Sequence, residues 1–309
     1  MDFKHQPVLL QECIEGLDIK PDGIYVDGTL GGAGHSKKIL EKLSDNGKLI
    51  GIDRDEEALK AAKENLKDFS NVTYVHGNHD EIDTILANLN IGQVDGILLD
   101  LGVSSYQLDE KSRGFSYLGE NALDMRMDQT QKLTAKEVVN TYPEEKLATV
   151  LWEYGEERFA RKIARKICIE REKAEITTTK QLVDIIESSI PKAKQKDGHP
   201  AKRTFQAIRI EVNDELRPLK DTVWKCIRLL KEQGRLCIIT FHSLEDRIVK
   251  KTYIEAEGRC TCPKDLPYCV CGAISYGKMV NKKPIIASEQ EMQQNTRSKS
   301  AKLRIFERK

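Results

Sequence analysis

The sequence predicts an α/β protein, a mostly parallel sheet domain at residues 1–105 and 214–309 interrupted by an inserted all-helical domain at 106–213. Three observations carry this expectation. Short β-rich runs alternate with amphipathic segments over the first third of the chain, as βα units do. The alternation then gives way to successive helical patterns with no strand of comparable quality between them. Towards the C-terminus a helix and a strand return.

Taken in order, strands are expected at Ile24–Asp27, Lys48–Asp53, Val72–His76 and Val94–Asp100. Between them, Ser36–Leu43 and Glu56–Leu66 repeat apolar residues at three- and four-residue spacing, the period of a helix with one buried face. A polar stretch with Gly114 and Gly119 leads into helices at about Ala135–Thr141, Glu144–Tyr154, Arg158–Glu170 and Thr179–Ser189. The sheet pattern resumes with a helix at Leu219–Glu232, Gly234 as its stop signal, and a strand at Leu236–Phe241. Alternation in Lys302–Glu307 predicts a closing strand.

The chain has 309 residues, with 50 basic against 49 acidic side chains, so whole-chain charge carries no nucleic-acid footprint. Basic residues are nonetheless concentrated in Arg158–Lys173 and Lys192–Arg209, both in the middle third. Each run reads equally as a solvated helix face or as a phosphate-binding surface. Apolar stretches such as Ile97–Leu99 and Leu236–Ile239 fall far short of the roughly 20 residues that cross a bilayer, so no membrane partner is expected. Asp2, Glu12 and the short run Val8–Leu10 lack the pattern of a secretory signal, which makes a cytoplasmic location the expectation. Eight cysteines then argue against a disulfide scaffold. Cys260, Cys262, Cys269 and Cys271 form a cluster that reads either as a zinc site or as reduced cysteines in a loop, and no metal is assigned.

The first strand runs from Asp27 into Gly28-Thr-Leu-Gly31-Gly32-Ala33-Gly34-His35-Ser36. Small residues in such a turn let the backbone approach a nucleotide or amino-acid moiety. The dinucleotide fingerprint fails because Lys37 occupies the sixth position counted from Gly32 as the first, and no Gly-Lys-Ser/Thr closes a phosphate loop. Asp53, at the end of the second strand, is spaced to accept both hydroxyls of a ribose. His79 follows the third strand, where an adenine ring could stack, or where a histidine is simply exposed. Asp100 ends the fourth, so Asp27, Asp53 and Asp100 all sit at carboxyl ends of parallel strands, where such sheets bind ligands.

Longer blocks are more specific. Val8-Leu-Leu with Glu12, Tyr25-Val-Asp27-Gly-Thr-Leu-Gly31-Gly-Ala-Gly34-His-Ser36 and Leu98-Leu-Asp100-Leu-Gly-Val-Ser104-Ser occur in that order. Arg113-Gly-Phe-Ser116, Leu123-Asp-Met-Arg-Met-Asp128 and Gly155-Glu-Glu-Arg-Phe-Ala-Arg161 follow. His199-Pro-Ala-Lys-Arg-Thr-Phe-Gln-Ala207, Phe241-His-Ser-Leu-Glu-Asp-Arg247 and Ser300-Ala-Lys-Leu-Arg304 complete the set. In these blocks the chain resembles the ribosomal RNA small-subunit methyltransferase H family (RsmH, also called MraW) over nearly its whole length.

The resemblance implies a class I methyltransferase (Rossmann-like) fold, S-adenosyl-L-methionine as cofactor, and N4-methylation of a cytidine in the decoding region of 16S ribosomal RNA. Its partner is then that RNA, within the small ribosomal subunit, with no DNA expected. Carried over by motif, cofactor contacts fall on Ala33, Gly34 and His35 in the turn, Asp53 at the ribose, His79 near the adenine, and Asp100 and Gln107 near the methionine end. The chain departs from many relatives at His79, where they have Phe, and at Tyr106, where they have Pro.

A cytidine amine is a poor nucleophile because its lone pair is delocalised into the ring, so transfer needs an acceptor that orients the N–H. Asp100 is the catalytic candidate for that acceptor, with Ser104, Ser105 and Tyr106 shaping a base pocket; the other reading leaves Asp100 a cofactor contact alone. Arg158, Arg161, Lys162, Arg165, Lys202 and Arg203 are candidates for phosphate contact. Phe159 and Phe205 read as stacking platforms or, at helical spacing, as core. Ser243 reads as a helix cap with Asp246 three residues on, and His242 and Glu245 carry a base-pocket role as the weaker option. The rival activities are an amine methyltransferase on another nucleic acid and a nonenzymatic ribosome assembly factor.

Overall fold

A computed structural model describes residues 7–195, 198–258, 262–263, 266–268, 270 and 272–309. Cys260, Cys269 and Cys271 of the cysteine cluster lie outside the described residues. The fold divides into two compact units, residues 1–102 with 216–309, and residues 103–215.

In chain order the first unit opens with α1 (Leu10–Leu17), β1 (Ile24–Asp27), α2 (Gly34–Leu40), β2 (Lys48–Asp53), α3 (Glu56–Asn65), β3 (Val72–His76), α4 (Ile82–Asn88) and β4 (Val94–Asp100). The second unit holds α5 (Ser105–Asp109), α6 (Ala135–Thr141), α7 (Glu144–Gly155), α8 (Ala160–Arg171), α9 (Thr179–Ser189) and α10 (Lys202–Asn213). The first unit then resumes with α11 (Leu219–Leu229), β5 (Leu230–Thr240), α12 (Ser243–Ala256), β6 (Gly277–Met279), α13 (Glu289–Gln294) and β7 (Lys302–Arg308).

Among the described residues seven strands form one sheet in the order β3-β2-β1-β4-β5-β7-β6. The first five run parallel, while β7 is antiparallel to both β5 and β6. Both faces are covered, so the central strands are apolar throughout rather than alternating. Val26, Ile97, Leu99 and Ile238 pack to one side; Tyr25, Leu98, Cys237 and Ile239 pack to the other. Each such side chain contributes about 1.5–3 kcal/mol on burial. The chain leaves β1 outward to β2 and β3, then returns to β4 on β1's other side. The crevice beyond Asp27 and Asp100 is therefore the topological switch point, where open α/β sheets bind ligands.

Some boundaries differ from the sequence reading: the helix expected at Ser36–Leu43 is Gly34–Leu40, that expected at Arg158–Glu170 is Ala160–Arg171, and the largest difference is at β5. The helix expected to reach Glu232 ends at Leu229, and Gly234 lies inside β5 rather than stopping a helix. Register jumps here from Val94↔Leu230 to Gly96↔Arg235. A Cβ at Gly234 would come within 2.9 Å of Lys231 O and 3.0 Å of Asp95 O, so glycine serves this irregularity by allowing close backbone approach.

The second unit has its own core, with Phe205, Leu147, Ile163, Ile167, Leu182 and Ile208 among its buried residues. Phe205 is thus core rather than a platform, and Phe159 packs partly buried against the same cluster. Thr134 and Thr178 close capping boxes with Glu137 and Gln181, which set the starts of α6 and α9. No helix among the described residues is long and apolar enough to cross a membrane.

Candidate active site

The glycine turn after β1 is held from three directions. Gly28 N donates to Leu98 O on β4 (2.9 Å), and Leu30 N to Ile52 O on β2 (3.0 Å). Gly31 N donates to Asp53 Oδ2 (2.7 Å), so the acid expected at a ribose also fastens the turn beside it. Asp53 Oδ1 accepts from Asp55 N (2.8 Å), the first residue of the α3 cap. Gly31 and Ala33 have φ of 49° and 61°, left-handed values that glycine adopts freely and alanine at a cost of roughly 1–2 kcal/mol. A Cβ on Gly32 would meet nothing within 4 Å, whereas one on Gly34 would lie 2.2 Å from Pro7 Cγ. The turn is therefore open on one side and sealed by the N-terminal segment on the other.

His35, at the start of α2, is buried and its Nε2 lies 3.0 Å from Val8 O. A carbonyl only accepts, so the proton sits on Nε2 and Nδ1 presents a lone pair. Burial pushes this imidazole down to about 4, so it is neutral at physiological pH. Nδ1 lies 3.9 Å from Asp100 Oδ2.

The three strand-end acids differ in environment. Asp27 is buried and accepts from Ser36 Oγ (2.7 Å) and Thr29 N (3.1 Å); burial raises it to about 6 against those bonds. Its visible work is to brace the turn. Burial also raises Asp53, opposed by the backbone donors of Asp55 and Gly31. Asp100 is raised furthest, to about 8, by desolvation first and then by the negative charges of Asp27 and Glu245. Its backbone N donates to Thr29 Oγ1 (2.6 Å), which ties the end of β4 to the β1 turn. Its Oδ1 is buried with no hydrogen-bond partner among the described residues. A buried acceptor left unmatched in a ligand crevice is the signature of a group kept for something that binds there.

His79 begins a short 3-10 turn after β3, and its Cβ would lie 3.2 Å from a Cβ on Gly28, which places it beside the glycine turn. Burial, followed by the Arg54 charge, pushes it down to about 3, which leaves the ring neutral. Gln107 belongs to the other unit, where its Oε1 accepts from Ser104 N (3.0 Å) and its N donates to Ser104 Oγ (3.2 Å). The sheet unit thus gathers Ala33, Gly34, His35, Asp53, His79 and Asp100.

At the end of β5 the cap of α12 is His242, not Ser243: Glu245 N donates to His242 Nδ1 (3.5 Å) and Glu245 Oε2 accepts from His242 N (3.3 Å). Serine is the commoner cap, which misleads a reading from residue preference. Asp246 instead pairs with Arg304 on β7, Oδ1 to Nε at 2.6 Å. Glu245 is buried, and its charge acts on both Asp100 and His79. Neither Thr29 nor Glu245 announces these tasks in sequence, because both act through residues far along the chain.

In the second unit Arg158, Arg161, Lys162, Arg165, Lys202 and Arg203 are all exposed. The two basic runs meet where α7 ends on α10: a Cβ at Gly155 would lie 2.7 Å from Arg203 O, and Arg203 Nη1 donates to Glu156 O (3.2 Å).

A profile of the MraW methylase family matches residues 2–309. The chain belongs to that family. Within it, a protein of Clostridium botulinum (strain Kyoto / Type A2) named ribosomal RNA small subunit methyltransferase H is 59% identical over 305 residues, covering 99% of both chains. One of the same name from Lachnospira eligens is 56% identical, covering 100% of this chain and 98% of its own. A solved rRNA methylase from Streptococcus thermophilus aligns over 99% of this chain and 98% of its own, at 11% identity and TM-score 0.41, too distant to add to the assignment. This MraW methylase carries the class I methyltransferase sheet, five parallel strands followed by an antiparallel β7.

Proposed function

We propose that the protein transfers a methyl group from S-adenosyl-L-methionine to N4 of a cytidine in the decoding region of 16S ribosomal RNA. Its relatives carry small-subunit ribosomal RNA in their names, which supports the substrate class. The observation that carries the choice of an amine is Asp100, an acid held near pKa 8 with one buried oxygen unmatched.

When bound, the cofactor supplies an electrophilic methyl and leaves as a neutral thioether. Gly31, Ala33, Gly34 and His35 would cradle its amino-acid end, Asp53 its ribose and His79 its adenine, with Asp100 and Gln107 towards the methionine. Both Asp53 oxygens already accept backbone donors, yet each keeps a lone pair for a hydroxyl. As a carboxylate, Asp100 accepts an N–H of the cytidine amine, which aims the nitrogen lone pair at the methyl. With a pKa near its working pH, it then holds the proton that the amine gives up. The neutral His35 beside it leaves that proton on Asp100.

The exposed basic residues of 103–215 are proposed to contact phosphates and so position the RNA without reading its sequence. Mass spectrometry of nucleosides from undermethylated small subunits, and from their naked RNA, tests the reading. New N4-methylcytidine supports it. Methylated adenosine, or no methylated nucleoside despite tight cofactor binding, overturns it in favour of another amine target or an assembly role.

A further inference from the structure

The sheet unit contains a cavity of about 250 Å³ between the Phe241–Ser243 turn and the segment 286–302. It begins where β5 ends. Asp100 pairs with Ile239, Leu101 N donates to Ile239 O (3.1 Å), and Phe241 Cδ2 would lie 3.6 Å from a Cβ on Gly102. The cavity therefore lies beyond the end of β5, the strand that pairs with β4 at Asp100, while the glycine turn follows β1 on the other side of β4.

Its chemistry is mixed in a particular way. Phe241, Met292 and the rim residue Ile286 give apolar and aromatic surface. Lys299 and Lys302 bring two cations; Lys299 is exposed, and Lys302 also reaches Asp246 at 3.4 Å. His242 brings a donor. Because its Nδ1 accepts from Glu245 N, the proton sits on Nε2, which is buried, lies 3.1 Å from Glu245 Oε1 and meets no hydrogen-bond criterion among the described residues. The His242 side chain is only 8% exposed, so this donor is costly to leave unmatched.

We propose that this cavity holds the target nucleotide of the RNA: Phe241 and Met292 against the pyrimidine, His242 Nε2–H on a ring acceptor, and Lys299 and Lys302 on the adjoining phosphates. A volume just below the usual range of ligand pockets, roughly 300–1,000 Å³, suits one unstacked nucleotide rather than a run of them. A cytosine offers acceptors at O2 and N3 and a donor at N4. Those match a donor at His242 and an acceptor at Asp100; a uracil places an oxygen where the amine must be. The inference rests on the proposed cytidine methylation and adds the residues that select the base.

The test uses the full-length enzyme, undermethylated small subunits and radiolabelled S-adenosyl-L-methionine. His242→Ser keeps a capping oxygen for Glu245 N and removes the imidazole. Its kcat/KM for subunits should fall about 30-fold, with cofactor Kd within about twofold of wild type, as expected for a lost buried hydrogen bond. Lys299→Ala should raise KM about tenfold at unchanged kcat and lower the salt slope of log KM by about 0.7, the mark of one lost single-strand phosphate contact. Phe241→Leu keeps apolar bulk and should lose about tenfold in kcat/KM. Wild-type kcat/KM in all three overturns the pocket while leaving the methylation standing. If His242→Ser also loses cofactor affinity or unfolds early, wild-type behaviour of Phe241→Leu and Lys299→Ala overturns it. A wild-type enzyme that methylates no small-subunit cytidine instead overturns the reading beneath it.

Discussion

Asp100 is held near pKa 8 in the fold against roughly 3.9 in an unfolded chain, so the folded state binds a proton that the unfolded state gives up. Its contribution to stability is full below about pH 4 and is lost as pH rises through about 8. Asp100→Asn should therefore gain on wild type progressively over that window and reach about 2–4 kcal/mol by pH 8, while kcat falls about 10³-fold. Urea melts across pH 5–9 and single-turnover assays check the two halves; equal stability throughout would contradict a desolvated carboxylate. Cofactor binding gives a second reading of the same group. His35 and His79 stay neutral at about 4 and about 3, so neither titrates above pH 7. A cationic donor favours the Asp100 carboxylate, so its affinity should rise by up to about tenfold per pH unit and level off near pH 8. Calorimetry of wild type against Asp100→Asn, whose affinity should be flat, measures this.

At the scale of elements, the turn between β1 and α2 is set by two tight approaches. Asp53 reaches back from β2 to Gly31 N, and Pro7 covers Gly34. Gly34→Ala would drive a methyl into Pro7 Cγ at 2.2 Å, so the N-terminal segment must move and release His35 from Val8 O. The expected outcome is about 1–3 kcal/mol of lost stability and at least about fivefold weaker cofactor binding. Thermal melts and titration decide; an unchanged Kd would show that the N-terminal segment does not shape the site. The spans of β1 to β4, α6 and α9 were legible in sequence, because apolar period and turn residues are local signals. The cap at His242 and the start of β5 at Leu230 were not. The cap lies with the less common residue of a local box, His242 with Glu245 three residues on, and β5 starts at Leu230 through its pairing with Val94 across the ladder.

At the scale of the whole molecule, one unit carries the acids and the glycine turn, and the other carries exposed basic residues: Arg158 just before α8, Arg161 and Arg165 on α8, and Arg203 on α10. Arg161→Ala combined with Arg165→Ala should raise KM for small subunits about tenfold and reduce the salt slope by about 1–2, leaving cofactor Kd unchanged. Filter binding and steady-state assays over a salt series check this; an unaltered slope would place the RNA on another surface. Charge totals of 50 against 49 hide these residues, and only their local concentration along the chain reveals them.

The sequence alone determined the α/β character, the helical interruption, the glycine turn with Asp53, and the place of Asp100 at a strand end. Those follow from periodicity and spacing within a few tens of residues. The tertiary structure decided what the acids do. Asp27 braces, Asp53 fastens Gly31, and Asp100 keeps an unmatched oxygen at a raised pKa, because desolvation and hydrogen-bond supply come from strands β1, β2 and β4 lying side by side. It also brought Lys299 and Lys302 to Phe241 and His242, across an interval of sequence that no local pattern spans.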